Sequence, residues 1–206
     1  MDKNRLEAFS DGVIAIIITI MVLELKVPTQ PTFEALRERW PVLLSYLVSF
    51  IYVGIYWNNH HHMLKVAERV NGTILWANLH LLFWLSLVPF ATGWTGETYF
   101  NTVPTALYGV VLLMAALAYY LLQCTIIAEH GRDSLLAAAI GADSKGKLSP
   151  ALYAIAIGMA FFNRWIANAI YVFVALIWLV PDRRIERAIK NPDRSRRHHG
   201  TRPLDK

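Results

Sequence analysis

The chain has 206 residues and a formal net charge of +5, and 55% of its residues are hydrophobic while only 17% are charged. Soluble domains carry about 25% charged residues, so this composition excludes an ordinary soluble protein and indicates one that spans a membrane. The apolar runs are long enough for helices and lack the ten-residue alternation of an outer-membrane barrel, so the expected fold class is all-α.

The first apolar run covers about residues 6–26 and begins beside two charged side chains, Arg5 and Asp11. A charge costs roughly 2.5 to 3.5 kcal/mol at the bilayer centre and less near its edge, so both side chains need polar partners. On an ideal helix the two residues lie about 120 degrees apart, which argues against a pair within the helix. No secretory cleavage site follows this run, so we expect it to remain and to span the membrane.

Five further apolar runs bring the predicted number of transmembrane helices to six. They fall at about residues 41–62, 73–92, 104–128, 148–164 and 166–181. The last two are short, and the distribution of basic residues decides between five and six spans, because cytoplasmic segments carry the Lys and Arg excess. Six spans with both termini in the cytoplasm put 16 of the 20 Lys and Arg residues inside, whereas five spans put only 7 inside.

One membrane domain, residues 1–190, therefore accounts for nearly the whole chain, and the basic residues 191–206 predict a disordered cytoplasmic tail. The single cysteine, Cys124, lies within an apolar run, so one chain holds neither a disulfide nor a cysteine metal site. No H-E-x-x-H or G-x-S-x-G motif occurs, so we expect no enzyme, no cofactor and no metal held by a protein cage. No nucleic-acid partner is expected either.

Three stretches of the sequence resemble the transmembrane protein 175 family of potassium-permeable channels. The R-x-x-x-F-S-D signature that opens the first helix of that family fits Arg5, Phe9, Ser10 and Asp11. The segment 57–62 resembles the family's W-x-x-H-H motif, and the segment 78–90 resembles its third helix. Animal members carry two six-helix repeats in one chain, and this chain carries one. The resemblance therefore implies a prokaryotic homotetramer, in the inner membrane.

The resemblance also implies that the first helix lines an axial pore, with an aliphatic constriction and a threonine layer beside it. Counting from Asp11, those positions fall on Ile16, Thr19 and Leu23. Positions 12, 16, 19 and 23 lie along one stripe of a helix, so a pore face is geometrically available, and Asp11 points sideways from it. Without the resemblance, this stripe is an ordinary packing surface on which Thr19 bonds its own backbone.

Polar side chains in the second and third spans fall near the same leaflet as the signature. An indole, imidazoles and an amide can donate hydrogen bonds to the serine and the aspartate of the signature. We therefore interpret these residues as a buried polar clamp that fixes the first helix against its own bundle. The predicted clamp comprises Arg5, Phe9, Ser10, Asp11, Trp57, His60, His61 and Asn78.

Glu24 lies at the outer end of the predicted pore face. Four copies around an axis form a ring that concentrates cations through its field. The alternative is a simple ion pair with Lys26 or Arg37.

The predicted function is a potassium leak channel through which K⁺ passes transiently. The sequence has no T-V-G-Y-G filter, so coordination by a carbonyl filter of that kind is excluded. Instead an aliphatic constriction closes by dewetting, and hydroxyls of Thr19 replace part of the water shell of the ion. No span carries a regular arginine ladder, so voltage sensing is not expected.

Two alternatives remain open at this point. One is a proton or non-selective cation channel, with His60, His61 and Asp11 as proton carriers. The other is an ion-coupled transporter, which is expected to contain Gly- or Pro-broken helices in corresponding halves of the chain. The first span has no proline before Pro28, and a pore of identical subunits needs only one continuous lining helix.

Overall fold

Every regular element in the described part of the chain is an α-helix, in a computed structural model that describes residues 2–67, 69–131 and 144–179. The predicted all-α class is therefore confirmed. The predicted tail at 191–206 and the last residues of the sixth predicted span lie outside the described residues. The helices are α1 Lys3–Leu23, α2 Phe33–Glu38, α3 Trp40–Val66, α4 Gly72–Ser86, α5 Val88–Glu97, α6 Thr102–His130, α7 Ser144–Ala160 and α8 Arg164–Leu179.

Four helical segments are long and apolar enough to cross a membrane. They are Lys3–Leu23, Trp40–Lys65, Gly72–Glu97 and Thr102–His130, and they coincide with the first four predicted spans. The shorter helices α7 and α8 contain the apolar stretches Leu148–Ala160 and Arg164–Leu179, at the positions of the fifth and sixth predicted spans. The six-span count itself stays a prediction.

The third membrane segment extends beyond the predicted end at residue 92, because its polar residues are buried and hydrogen-bonded. The Thr92 hydroxyl donates to the Val88 carbonyl at 2.7 Å, and the Thr95 hydroxyl donates to the Pro104 carbonyl at 3.3 Å. The segment consists of α4 and α5, and Pro89 lies in the first turn of α5, where a missing N–H is tolerated. The helix therefore continues to Glu97.

The turn between α7 and α8 falls earlier than the sequence predicted. Helix α7 ends at Ala160, and the side-chain oxygen of Asn163 accepts a hydrogen bond from the Trp165 N–H at 3.0 Å. An Asn side chain in this position satisfies an otherwise free N–H at a helix start. Helix α8 therefore begins at Arg164, whose guanidinium lies 5.5 Å from the centre of the Trp165 ring.

Helix α6 packs against α4, α5, α7 and α8, while α1 packs against α3, α4 and α5. Phenol groups hydrogen-bond inside the bundle, as buried tyrosines in apolar surroundings require. Tyr52 Oη donates to the Tyr171 carbonyl at 2.5 Å, and Tyr171 Oη donates to the Thr105 carbonyl at 3.2 Å. Tyr108 shares a hydrogen bond of 2.9 Å with Ser49. These bonds connect α3, α6 and α8.

Gly109 is required where α6 approaches α7 and α8. A Cβ at this position would overlap the Tyr171 hydroxyl and lie 2.8 Å from Ile157 Cγ1. We expect Gly109→Ala to displace Tyr171 and to destabilise the protein by about 1 to 3 kcal/mol, as overpacking does. A drop of roughly 5 °C in the melting temperature of the purified protein would report this change.

The matched control is Gly158→Ala in α7, where an added Cβ meets nothing within 4 Å. Alanine is the better helix former, so this variant should keep or slightly raise the melting temperature. Equal melting temperatures for the two variants would show that the contact at Gly109 is not limiting.

Candidate functional site

Helix α1 has one covered face and one uncovered face. Asp2 caps its start, because the aspartate side chain accepts a hydrogen bond from the Asn4 N–H at 3.3 Å. Apolar residues at helical spacing then place one stripe against α3, α4 and α5. The buried residues of that stripe are Leu6, Ser10, Ile14, Ile17 and Met21.

The residues predicted to line a pore lie on the uncovered face. Ile16 is 59% exposed and Leu23 is 75% exposed, and Thr19 and Gly12 are exposed between and beside them. The Thr19 hydroxyl donates to the Ala15 carbonyl of its own helix at 2.9 Å, and this leaves the oxygen lone pairs on the uncovered side. In the single chain, no other helix covers this face.

A directional hydrogen-bond chain anchors the covered face of α1 near its N-terminal end. His60 of α3 lies 2.7 Å from Asn78 Oδ1, and Asn78 Nδ2 donates to Ser10 Oγ at 3.0 Å. Ser10 Oγ in turn donates to the Leu6 carbonyl at 2.8 Å. Because the Asn78 amide nitrogen already donates to Ser10, its oxygen accepts from His60, so Nε2 of His60 carries a proton. All three side chains are buried.

A second, more exposed contact joins α1 to α3. The Trp57 indole N–H donates to Asp11 Oδ1 at 3.0 Å, and the Trp57 ring stacks on His61 with 6.4 Å between centres. Trp57, Asp11 and His61 are all exposed in the single chain, unlike the buried hydrogen-bond chain through Asn78. The structure therefore divides the predicted clamp into a buried part and a surface part.

Two residues of the predicted clamp lie outside both parts. Arg5 and Phe9 are exposed, and they point away from the side of α1 that carries Ser10. On a helix with 3.6 residues per turn they lie about 140 and 100 degrees from Ser10, so they cannot share its covered face.

At the opposite end of α1, Glu24 is exposed. Lys26, one of its expected partners, instead lies with its Nζ 3.6 Å from Glu97 Oε1, and Arg39 lies 3.4 Å from the same oxygen. Glu97 was not singled out from the sequence, because it ends α5 and its partners lie 58 or more positions away. Exposed pairs of this kind contribute roughly 0 to 1 kcal/mol.

The described residues contain no group of three or more His, Cys, Asp or Glu side chains arranged to hold a metal ion. The histidines of the bundle instead make other contacts: His80 accepts from the Trp84 indole at 3.0 Å, and His130 accepts from the Arg69 N–H at 3.0 Å. The arrangement offers a helix with an uncovered stripe of aliphatic and hydroxyl side chains.

Comparison with known proteins gives concordant matches. The family described as endosomal/lysosomal potassium channel TMEM175 matches residues 5–89. A potassium channel of Chryseobacterium sp. (strain P1-3) is 55% identical over 190 residues, which is 92% of this chain and 99% of the relative. An endosomal/lysosomal proton channel TMEM175 of Gallus gallus is 30% identical over 109 residues, 47% of this chain and 22% of the relative.

A solved structure shares the fold. The crystal structure of a lysosomal potassium-selective channel TMEM175 homolog from Chamaesiphon minutus matches with a TM-score of 0.77 and 28% sequence identity. The match covers 87% of this chain and 97% of that chain.

Proposed function

Because this chain belongs to the TMEM175 family, we propose that it is a potassium-permeable channel of a prokaryotic inner membrane. The family and the relatives are ion channels and not enzymes. The observation that carries the proposal for this chain is the uncovered stripe of α1 at Ile16, Thr19 and Leu23. An axial pore made by several copies requires such a stripe on a helix whose other face is held by its own bundle.

In the proposed assembly, four α1 helices meet around one axis, with K⁺ passing between them. Ile16 and Leu23 are seven residues apart, so their rings lie about 10 Å apart along the axis, and Thr19 lies between them. A narrow aliphatic ring excludes water and blocks ions until it widens. The Thr19 oxygens face this gap and replace part of the hydration shell of the ion, which gives weak to moderate selectivity.

The clamp has a mechanical role in this proposal. The constriction is only as narrow as the position of α1 allows, and α1 touches its bundle along one face. The chain His60–Asn78–Ser10 fixes that face by bonds that cross from α3 through α4 to α1. Trp57 adds an outer bond to Asp11. Asp11 thereby positions the helix and does not form a selectivity ring.

We propose the orientation with both termini in the cytoplasm, which the excess of basic residues supports. Glu24 then lies at the outer mouth of the pore. Its exposure is consistent with a ring that attracts cations, and Lys26 is engaged by Glu97 rather than by Glu24.

The relatives named proton channels motivate a second candidate, permeation of protons. Two features oppose His60 as a carrier on such a path. Its Nε2 proton is bonded to the Asn78 amide, and an amide does not pass a proton onward as a hydroxyl or water does. The hydrogen-bond chain that begins at His60 also ends on the Leu6 carbonyl inside the bundle, and it does not reach the uncovered stripe of α1. Permeation of potassium does not require His60 to gain or lose a proton.

Reversal potentials of the purified protein in bilayers test the two candidates together. With a tenfold potassium gradient opposed by sodium, we expect the reversal potential to shift toward the potassium equilibrium value. A reversal potential near zero would indicate a non-selective pore. A reversal potential that follows an imposed pH gradient would show that protons, and not potassium ions, carry the current. Protein-free bilayers from the same lipid provide the control.

A further inference from the structure

A cavity of about 40 Å³ lies between α3, α6, α7 and α8, away from the α1 stripe. It lies where α3 and α6 do not pack closely, and large rings occupy the space between them: Tyr56 and Tyr119 meet edge to face with centres 6.1 Å apart. The aromatic part of its wall consists of Tyr52, Tyr56, Tyr119, Tyr120, Tyr153 and Trp178.

Gln123 of α6 lines this cavity and is only 5% exposed. Its amide makes no hydrogen bond with the described residues. Other polar groups of the wall are engaged: Ser149 Oγ accepts from the Trp178 indole at 2.8 Å, and Asn59 Nδ2 donates to the Ile55 carbonyl at 2.9 Å. An amide that faces a cavity without a protein partner can hydrogen-bond a polar group placed there, such as a water molecule or the hydroxyl of a ligand.

The size and charge of the cavity restrict the class of that occupant. No Asp, Glu, Lys or Arg is among the described residues of its wall, so these residues offer no counter-charge to an ionised ligand and favour a neutral one. A group the size of a water molecule needs about 10 to 15 Å³ of cavity volume, so the cavity holds about three such groups. A hydroxyl and the first two carbons of an alkyl chain meet this limit. The cavity is partly open, and Tyr120 of its wall is 50% exposed at the surface of α6. A longer chain can leave there toward lipid.

We propose that this cavity binds the hydroxyl end of a single-chain primary alcohol from the membrane. The Gln123 amide hydrogen-bonds the hydroxyl, and the alkyl chain passes between Ile55 and Tyr120 into the lipid. The cavity lies on the side of α3 that carries Tyr52, Tyr56 and Asn59. Trp57 and His60 reach α1 and α4 from another side of the same helix, so the site lies behind the anchor of α1.

Photolabelling of the full chain in liposomes tests the proposal without any measurement of ion flux. The probe is decanol with a diazirine on its second or third carbon, and labelled residues are located by mass spectrometry. We expect saturable labelling of the cavity wall that unlabelled decanol suppresses. Decane lacks the hydroxyl and decanoate carries a charge, so neither should compete. Equal competition by decane would overturn the proposal.

Two substitutions examine the site itself. Gln123→Leu should weaken saturable labelling about fivefold, the effect of losing one neutral hydrogen bond. Ala116 lines the cavity, so Ala116→Leu should fill the cavity with a larger side chain and abolish saturable labelling. Thr125→Val is the control, because the Thr125 hydroxyl bonds the Leu122 carbonyl of its own helix and does not line the cavity.

Labelling that does not saturate and spreads over lipid-facing residues would show that the cavity holds only water, and the proposal would be wrong. Unchanged labelling of Gln123→Leu would have the same meaning. Neither result bears on potassium permeation, since the assay reports binding alone.

Discussion

Ile16→Asn is expected to raise potassium flux through reconstituted protein by roughly tenfold or more. In the proposed tetramer, an amide from each of four subunits holds water in the proposed constriction, and every 1.4 kcal/mol removed from the barrier is a factor of ten in rate. Leu23→Asn should act in the same direction at the second aliphatic ring. Potassium efflux from liposomes, followed with an ion-selective electrode at matched protein density, measures both.

The control for this experiment is Ile155→Asn. Ile155 lies on α7 and is 56% exposed, against 59% for Ile16, so the two changes introduce the same side chain at equal exposure. Only the α1 variant faces the proposed axis. Unchanged flux in both α1 variants would remove the pore assignment, and increased flux in Ile155→Asn would indicate a general leak through damaged protein.

Asn78→Leu is expected to have the largest effect on stability and assembly. The substitution keeps the side-chain size but removes both bonds of the buried amide, so Ser10 and His60 lose their partner together. Each unpaired buried group costs about 1 to 3 kcal/mol, and we expect a loss of about 2 to 4 kcal/mol for the pair. Fluorescence-detected size exclusion after a heating series measures the melting temperature and the yield of the proposed tetramer.

Comparison variants separate the buried clamp from its surface part. Asp11→Ala removes one hydrogen bond to the half-exposed indole of Trp57, so this variant should impair assembly less than Asn78→Leu does. Asp11→Ala should nevertheless impair assembly more than it changes ion preference. Ser86→Ala, on the same helix as Asn78, removes only an exposed bond to the Phe83 carbonyl and should be neutral. A normal tetramer yield with altered selectivity in Asn78→Leu would assign this residue to the ion path.

The helices were largely predictable because each follows a local requirement. A chain in hydrocarbon must satisfy its backbone within the segment, so a long apolar run becomes a helix whatever surrounds it. The ends of the helices were less predictable where polar residues stand at them. Thr92 and Thr95 interrupt the hydropathy pattern, but their hydroxyls bond carbonyls inside the bundle, and the helix therefore extends to Glu97.

The clamp was predictable as a group of residues and not as a set of bonds. The sequence brings Ser10, Trp57, His60 and Asn78 to one end of the bundle, but their pairing depends on the rotation of each helix about its axis. That rotation puts Asn78 between His60 and Ser10 and leaves His61 on the surface. Gln123 and Glu97 gave no local signal, because a buried amide and a terminal carboxylate become informative only beside their neighbours.

The sequence by itself determined that α1 is a membrane helix with one stripe of Ile16, Thr19 and Leu23, since helical periodicity is a local property. Only the tertiary structure decided which face of that helix is covered. Coverage depends on how α3, α4 and α5 pack, and those helices cover the face of Ser10 and Ile17 and leave the stripe exposed. Burial is a property of the whole bundle, whereas periodicity belongs to one segment.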